Sequence, residues 1–412
     1  MSDLSSLSDD IRQEISRSGR ITFARYMELA LYAPGKGYYA GSVSGFSGSD
    51  YVTSPLAHPV FGALIGRQAY QIWVIMGRPD EFLILEQGAG NGALACDVLD
   101  FLRYATPDFY ESLSYLAIDC TSNPFGKQQS HQNLQYVNSY TLPILGGVGC
   151  VISNELIDAY PVHRFRVQDG ILTEAYVQIG EQGEFIEIFD EPSTDLIQAR
   201  LQDLDIPLQD GLNGEMNLHI DDWARAVAAC LDRGIVITID YGDWAKPLYN
   251  RPVGTLQTYY RQTQAGNPLK MVGKKDITAH ADFTSLINAG AQYGLEYLGL
   301  LEQGQFLRNL GWDKCFQVVS RMGFSHQELI ANQVGLRHLV DPAYLGGLSV
   351  LIQSKNFDMG EQLWGLVRGE SSGTFTDQEV AAIPAMSESH VRYQGHGYTF
   401  QEGGDWGYQR FL

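Results

Sequence analysis

The segment Glu86-Gln87-Gly88-Ala89-Gly90-Asn91-Gly92 follows an apolar run, 82–86, and precedes an apolar-periodic stretch, 93–105. Alternating glycines there specify a strand–turn–helix unit. The backbone can approach a ligand closely, and the helix N-terminus offers free N–H groups. Two cofactor classes use such a loop. Gly88, Gly90 and Ala93 satisfy the dinucleotide pattern G-x-G-x-x-G/A. Glu86, Gly88, Gly90 and Gly92 satisfy the acid-x-G-x-G-x-G pattern of an S-adenosylmethionine (SAM) site.

The surrounding chain supports an alternating strand–helix architecture. Strands are expected at 114–120, 135–137, 149–155 and 234–242, and a late hairpin-like pair at 295–303 and 348–355. Apolar strands alternating with helices form a parallel sheet buried on both faces. Ahead of this unit, helices are expected at 8–18, with Ser8 as cap, and at 20–32 and 59–77. A glycine- and tyrosine-rich loop, 33–55, reads as either a lid or a plain linker, and its aromatics Tyr38, Tyr39 and Tyr51 favour the lid. Residues 161–190 alternate like a small antiparallel meander with a turn at Asp169-Gly170. Residues 243–294 read as a polar loop followed by a helix near Phe283–Ala289.

Spacing favours SAM over a dinucleotide. Glu86 stands two residues before the first glycine, where an acid can hold the methionyl amine. Asp119 ends the second strand 27 residues after Gly92, placed to accept from both ribose hydroxyls. A dinucleotide site would carry that acid ~20 residues on. Asn154 and Glu155 end a core strand where a methyl acceptor would meet the sulfonium. The cofactor set is therefore Glu86, Gly88, Gly90, Gly92, Asp119 and Asn154.

Composition narrows the partners. With 48 acidic and 28 basic residues the formal charge is −20. Such a surface repels phosphate backbones, which argues against nucleic acid and anionic membranes. Cys96, Cys120, Cys150, Cys230 and Cys315 never fall in CxxC spacing. That pattern suits a reducing cytoplasm and gives no metal motif. No apolar run approaches a membrane span, and no targeting segment is evident.

Together the glycine loop, SNELIDAYPVHRF (153–165), TIDYG (238–242), DITAHADF (276–283) and QGQFLRNLG (303–311) resemble the MidA-type SAM-dependent methyltransferases. YVTSPLAHPVFGALIGRQ (51–68) is similar to the same family's N-terminal segment. The resemblance implies an α/β fold: a class I SAM-methyltransferase, Rossmann-like sheet with an N-terminal helical segment and α+β insertions. It divides the chain into a helical/lid region (1–80), a methyltransferase domain (81–355, with insertions at about 161–230 and 243–294) and a tail (356–412). Mitochondrial members of that family are protein arginine methyltransferases that help assemble respiratory complex I. The resemblance thus implies a protein substrate, such as a respiratory-complex subunit. The family's glutamate after the Thr-Ser-Pro turn is replaced here by Leu56.

Methyl transfer is an in-line displacement, so alignment is the main task. A guanidinium acceptor calls for carboxylates that grip it and raise electron density on the attacking nitrogen. Asn154, Glu155 and Asp158 are the catalytic candidates, with capping of the following turn as the alternative role for Asn154 and a solvated helix position as the equal alternative for Asp158. Asp240 suits either the cleft or a turn, and His280 with Asp282 suits a cap more than a base. Thr53, Ser54, His163, Arg164 and Arg166 have both contact and structural readings. The competing function is a SAM-binding assembly scaffold with little turnover, and an NAD-dependent oxidoreductase stands a distant third.

Overall fold

A computed structural model describes residues 6–40, 52–120, 131–142, 146–260, 263–357, 362–367, 374–386 and 390. The core is a seven-stranded sheet built from β1 (Phe82–Gln87), β2 (Leu113–Asp119), β3 (Leu134–Asn138), β4 (Val148–Asn154), β5 (Arg233–Asp240), β6 (Leu295–Glu302) and β7 (Ser349–Lys355). Their spatial order is β3-β2-β1-β4-β5-β7-β6. β1 to β5 run parallel, while β7 lies antiparallel between β5 and β6. The late pair expected at 295–303 and 348–355 does close the sheet.

Both faces of the sheet are covered, which is why its strands read as unbroken apolar runs. Ile84, Tyr115, Ile152, Ile237 and Ile352 face one layer, formed by α3 (Val60–Ile75) and α4 (Ala93–Ala105). Leu85, Leu116, Val151, Val236 and Leu351 face the other, formed by α5 (Ile220–Cys230) and α6 (Phe283–Gln292). The side-chain period of two assigns neighbouring residues to opposite layers. β4, β1 and β5 end together with their carboxyl ends on one rim, and the order reverses between β1 and β4. An open α/β sheet forms its binding crevice there.

The first 80 residues divide between two cores. α1 (Leu7–Ser18) and α2 (Phe23–Tyr32) pack on a separate five-stranded sheet, whereas α3 belongs to the central one. Ser6, not Ser8, caps α1. Asp9 lies at the third helical position from Ser6 and reaches back to its N–H, closing a capping box. The meander extends beyond the expected 161–190. Strands His163–Gln168, Ile171–Ile179 and Phe185–Asp190 are joined by Asn213–Met216 and by the short Ile21–Thr22. α5, inside the expected 161–230 insertion, instead packs on the central sheet as the crossover into β5.

A small three-stranded sheet occupies the first part of the 243–294 insertion: Gln257–Tyr260, Thr263–Gln264 and Asp276–Thr278. Its last strand brings Asp276 to the rim. In the tail, the Gln71 and Gln68 side chains of α3 accept the Trp364 and Gly365 N–H groups at 2.7 and 2.9 Å. The described tail residues are thus stitched to the core. Tyr51 and residues 391–412 lie outside the described residues.

Candidate active site

The loop after β1 has the geometry that its glycines predict. Gly88, Gly90 and Gly92 have φ of 75°, 54° and 75°, a region that costs L-residues with a Cβ. The Gly88 and Ala89 N–H groups donate to the Ile118 carbonyl at 2.9 and 3.0 Å. Gly90 N–H donates to Asp119 Oδ2 at 2.7 Å. The loop is therefore tied to the end of β2. Asn91 Oδ1 accepts the Ala93 N–H at 3.1 Å and helps start α4.

Glu86 is buried at 3% exposure. The Tyr115 hydroxyl donates to its Oε2 at 2.7 Å. Burial, with the nearby charges of Asp119 and Asp97, pushes the Glu86 carboxyl up to about 8 despite that bond. Among the described residues Oε1 has no hydrogen-bond donor. A buried carboxylate with one unbonded oxygen fits the amine of SAM, and the left-handed glycines fit close backbone approach. Glu86, the three glycines and Asp119 thus lie together at the carboxyl ends of β1 and β2. Bound there, SAM would supply an electrophilic methyl group.

Across the crevice, β4 ends in Asn154 and Glu155. Asn154 Nδ2 donates to Glu155 Oε1 at 3.1 Å, and the Ser54 N–H approaches the same oxygen at 3.4 Å. Asn154 Oδ1 is buried without a partner. Glu155 has φ of 50° and its N–H donates to the Ile239 carbonyl at 2.8 Å. A non-glycine residue in that conformation is held by its surroundings. Burial and the neighbouring Asp240 push its carboxyl up to about 8. Asp158 is 7% exposed, and burial with Asp240, Glu155 and Asp276 drives its carboxyl well above the usual range.

Asp240 is fully buried and takes the structural role. Its Oδ2 accepts the N–H groups of Leu156, Ile157 and Asp158, and its Oδ1 accepts that of Tyr241. Burial still raises it to about 7. Asp282 caps α6 through Ser285, and burial beside Arg251 holds His280 down to about 4. Neither is placed as a general base.

Three residues join the site that sequence reasoning left out as candidates. The Tyr39 hydroxyl donates to Asp276 Oδ1 at 2.8 Å, Tyr32 donates to the Ala159 carbonyl at 2.9 Å, and the two rings stack at 5.5 Å. Burial and the carboxylates Asp158 and Asp276 raise both phenols far above their ordinary value. The tyrosine-rich loop was the visible signal for Tyr39. The Thr-Ser-Pro turn contributes through Ser54, whose hydroxyl donates to Gln303 Oε1 at 2.9 Å. Leu56 is buried at 3% exposure. His163 and Arg164 serve the meander, pairing with Glu174 and Glu187, and Arg166 lies over the Phe189 ring. Among the described residues no cluster of His, Cys, Asp and Glu is arranged to hold a metal.

A doubly wound sheet of this order with a glycine loop, an acid behind it and a second acid ending β2 defines a class I SAM-dependent methyltransferase. The chain belongs to the MidA-type family of S-adenosyl-L-methionine-dependent methyltransferases, whose sequence profile matches residues 64–301. It is 37% identical over 386 residues, 81% of this chain and 80% of the other, to the mitochondrial protein arginine methyltransferase NDUFAF7 of Xenopus laevis. It is 28% identical over 379 residues, 83% of each chain, to the mitochondrial NDUFAF7 homolog of Drosophila melanogaster. A Burkholderia thailandensis chain solved bound to S-adenosyl-homocysteine superposes with a TM-score of 0.76 at 29% identity, covering 88% of this chain and 95% of that one. The cofactor is SAM, and the oxidoreductase reading falls.

Proposed function

We propose that this enzyme is a protein arginine N-methyltransferase. One observation carries the reading: Glu155, Asp158 and Asp276 converge on the crevice rim, and among the described residues Glu155 and Asp158 form no ion pair with Lys or Arg. Buried carboxylates without a protein cation call for a cationic ligand. A guanidinium supplies the charge and a planar set of donors that two carboxylates can grip. Tyr32 and Tyr39 offer ring faces beside it. The names of the Xenopus and Drosophila relatives point the same way.

In this reading Glu155 and Asp158 hold the guanidinium and aim one nitrogen at the methyl group. A C–N bond forms as the C–S bond breaks, and the nitrogen gives up a proton. Glu155, ionised against the bound guanidinium, receives that proton, and burial favours its protonated form once the cation is gone. Asn154 supports the grip by donating its Nδ2 to Glu155 Oε1 at 3.1 Å. The acceptor is a protein, and a respiratory-complex subunit is the candidate the family resemblance supplies. We assign the enzyme to a reducing compartment, the cytoplasm, because all five cysteines are unpaired thiols.

The test is incubation with methyl-labelled SAM and a cell lysate, followed by hydrolysis of the labelled protein. Label in methylarginine supports the proposal. Label confined to lysine, histidine or a small molecule refutes it.

A further inference from the structure

We propose that Tyr115 is a positioning residue for the cofactor: its hydroxyl holds one oxygen of Glu86 so that the other is left to take the amine of SAM. Both side chains are buried, at 1% and 3% exposure, and the hydroxyl-to-Oε2 distance is 2.7 Å. Tyr115 pairs with Ile84 across β1 and β2, so its ring is fixed by the sheet itself, two residues from Glu86. A carboxyl group can turn about its terminal torsion, and a single donor fixes which oxygen faces the crevice.

The surroundings give this bond its importance. The groups facing Glu86 are Tyr115 and Asp119 from β2 and Asp97 and Cys96 from α4. None of them is cationic, and Asp97 is itself engaged with His390 at 3.1 Å. Burial and the acidic neighbours favour the neutral form of Glu86, whereas the Tyr115 hydroxyl favours the ionised one. An ammonium group binds the ionised form. Loading the amine therefore expels a proton from Glu86: the carboxyl O–H bond breaks, the proton leaves to solvent, and the carboxylate pairs with the ammonium. Tyr115 lowers the cost of that step. Nothing in the glycine-loop pattern specifies a tyrosine at this point of the second strand.

The experiment is calorimetric titration of wild type and Tyr115→Phe from about pH 6 to 9. The probes are S-adenosylhomocysteine and 5′-methylthioadenosine, which keeps the nucleoside but lacks the amine. Tyr115→Phe removes only the hydroxyl. The expected result is about tenfold weaker S-adenosylhomocysteine binding near pH 7, the scale of one hydrogen bond to a charged group. The rising limb of its pH dependence moves to higher pH, and 5′-methylthioadenosine affinity stays unchanged. Equal weakening of both probes, or a limb that does not move, overturns the proposal. Should Tyr115→Phe fail to fold, Glu86→Gln reads the same linkage. Persistence of the rising limb for S-adenosylhomocysteine in Glu86→Gln overturns the proposal, because Tyr115 would then hold a carboxyl that does not take the amine. Its loss, with 5′-methylthioadenosine affinity unchanged, supports the premise that the carboxyl held by Tyr115 is the one that takes the amine.

Discussion

Asp240, at the end of β5, holds the turn that follows β4: its Oδ2 accepts the Ile157 N–H at 2.7 Å. The neighbouring N–H groups of Leu156 and Asp158 reach the same oxygen at 3.1 and 3.3 Å. A strand end in one βα unit thereby fixes the backbone that presents Glu155 and Asp158 from the unit beside it. The carboxylate does for this short turn what a capping side chain does for a helix.

Asp240→Asn should weaken that turn. The amide keeps a single acceptor oxygen, so either Tyr241 or the turn loses its partner and an N–H faces an NH₂ group. The expected cost is about 1–3 kcal/mol, the scale of an unsatisfied buried donor. Thermal unfolding should show a lower Tm, with methyl transfer falling more than S-adenosylhomocysteine affinity. An unchanged Tm would show that the turn does not depend on Asp240.

Stability of the ligand-free enzyme should fall as pH rises. Glu86 and Glu155 each sit at about 8 against an ordinary 4.5. The folded chain then keeps protons that the unfolded chain has released. The stabilisation is present below about pH 4.5 and is lost as pH climbs toward 8. Tm should be lower at about pH 8 than at about pH 6, with the slope flattened in Glu155→Gln. A flat wild-type profile over that range would contradict the assignment.

Gly90→Val should abolish cofactor binding while the fold survives. The position has φ of 54°, which a β-branched residue avoids, and its N–H is the link to Asp119. The expected loss in S-adenosylhomocysteine affinity is on the order of a hundredfold or more, since both the loop and its link to Asp119 are displaced. Wild-type affinity in a folded Gly90→Val protein would remove the loop from the cofactor site.

The tail is held by a buried ion pair. Arg67 Nε donates to Glu379 Oε1 at 2.9 Å, and the guanidinium lies over the rings of Trp364 and Phe375 at 4.3 and 4.2 Å. Glu379→Ala leaves a buried guanidinium without its carboxylate and should cost roughly 3–5 kcal/mol. Arg67→Met combined with Glu379→Leu should recover most of that loss. Urea unfolding distinguishes the outcomes, and a single-mutant loss below about 1 kcal/mol would mean that the tail docks independently of this pair.

Local pattern made the core readable. The run at 82–86, the glycine loop and the periodic segment after it are contiguous, so strand, turn and helix each carry their own signal. The middle stretches of β4 and β5, 150–152 and 234–237, are likewise apolar because both faces are covered. Asp276 is different: it reaches the rim from an insertion, through a small sheet with no strong periodicity. Its partner Tyr39 is 237 residues away. Tyr115 is hidden for another reason, since a tyrosine in a buried strand looks like packing until its hydroxyl is seen on Glu86. Asp240 illustrates the converse. Its position at a strand end suggests the cleft, but four backbone N–H donors make it part of the frame. Residues 8–18 show the limit of cap reading, because Ser6 and Ser8 both precede acids and only Ser6 has Asp9 at the spacing a capping box needs.

The most direct test of the acceptor site is the rate of methyl transfer to protein arginine by Glu155→Gln, measured beside its S-adenosylhomocysteine affinity. Glutamine keeps the shape and can still accept from Asn154 and Ser54, but it carries no charge and takes no proton. The account predicts a rate loss on the order of a hundredfold or more with cofactor affinity retained. Wild-type rates with the same affinity would contradict it and move the acceptor away from the carboxylates at the end of β4.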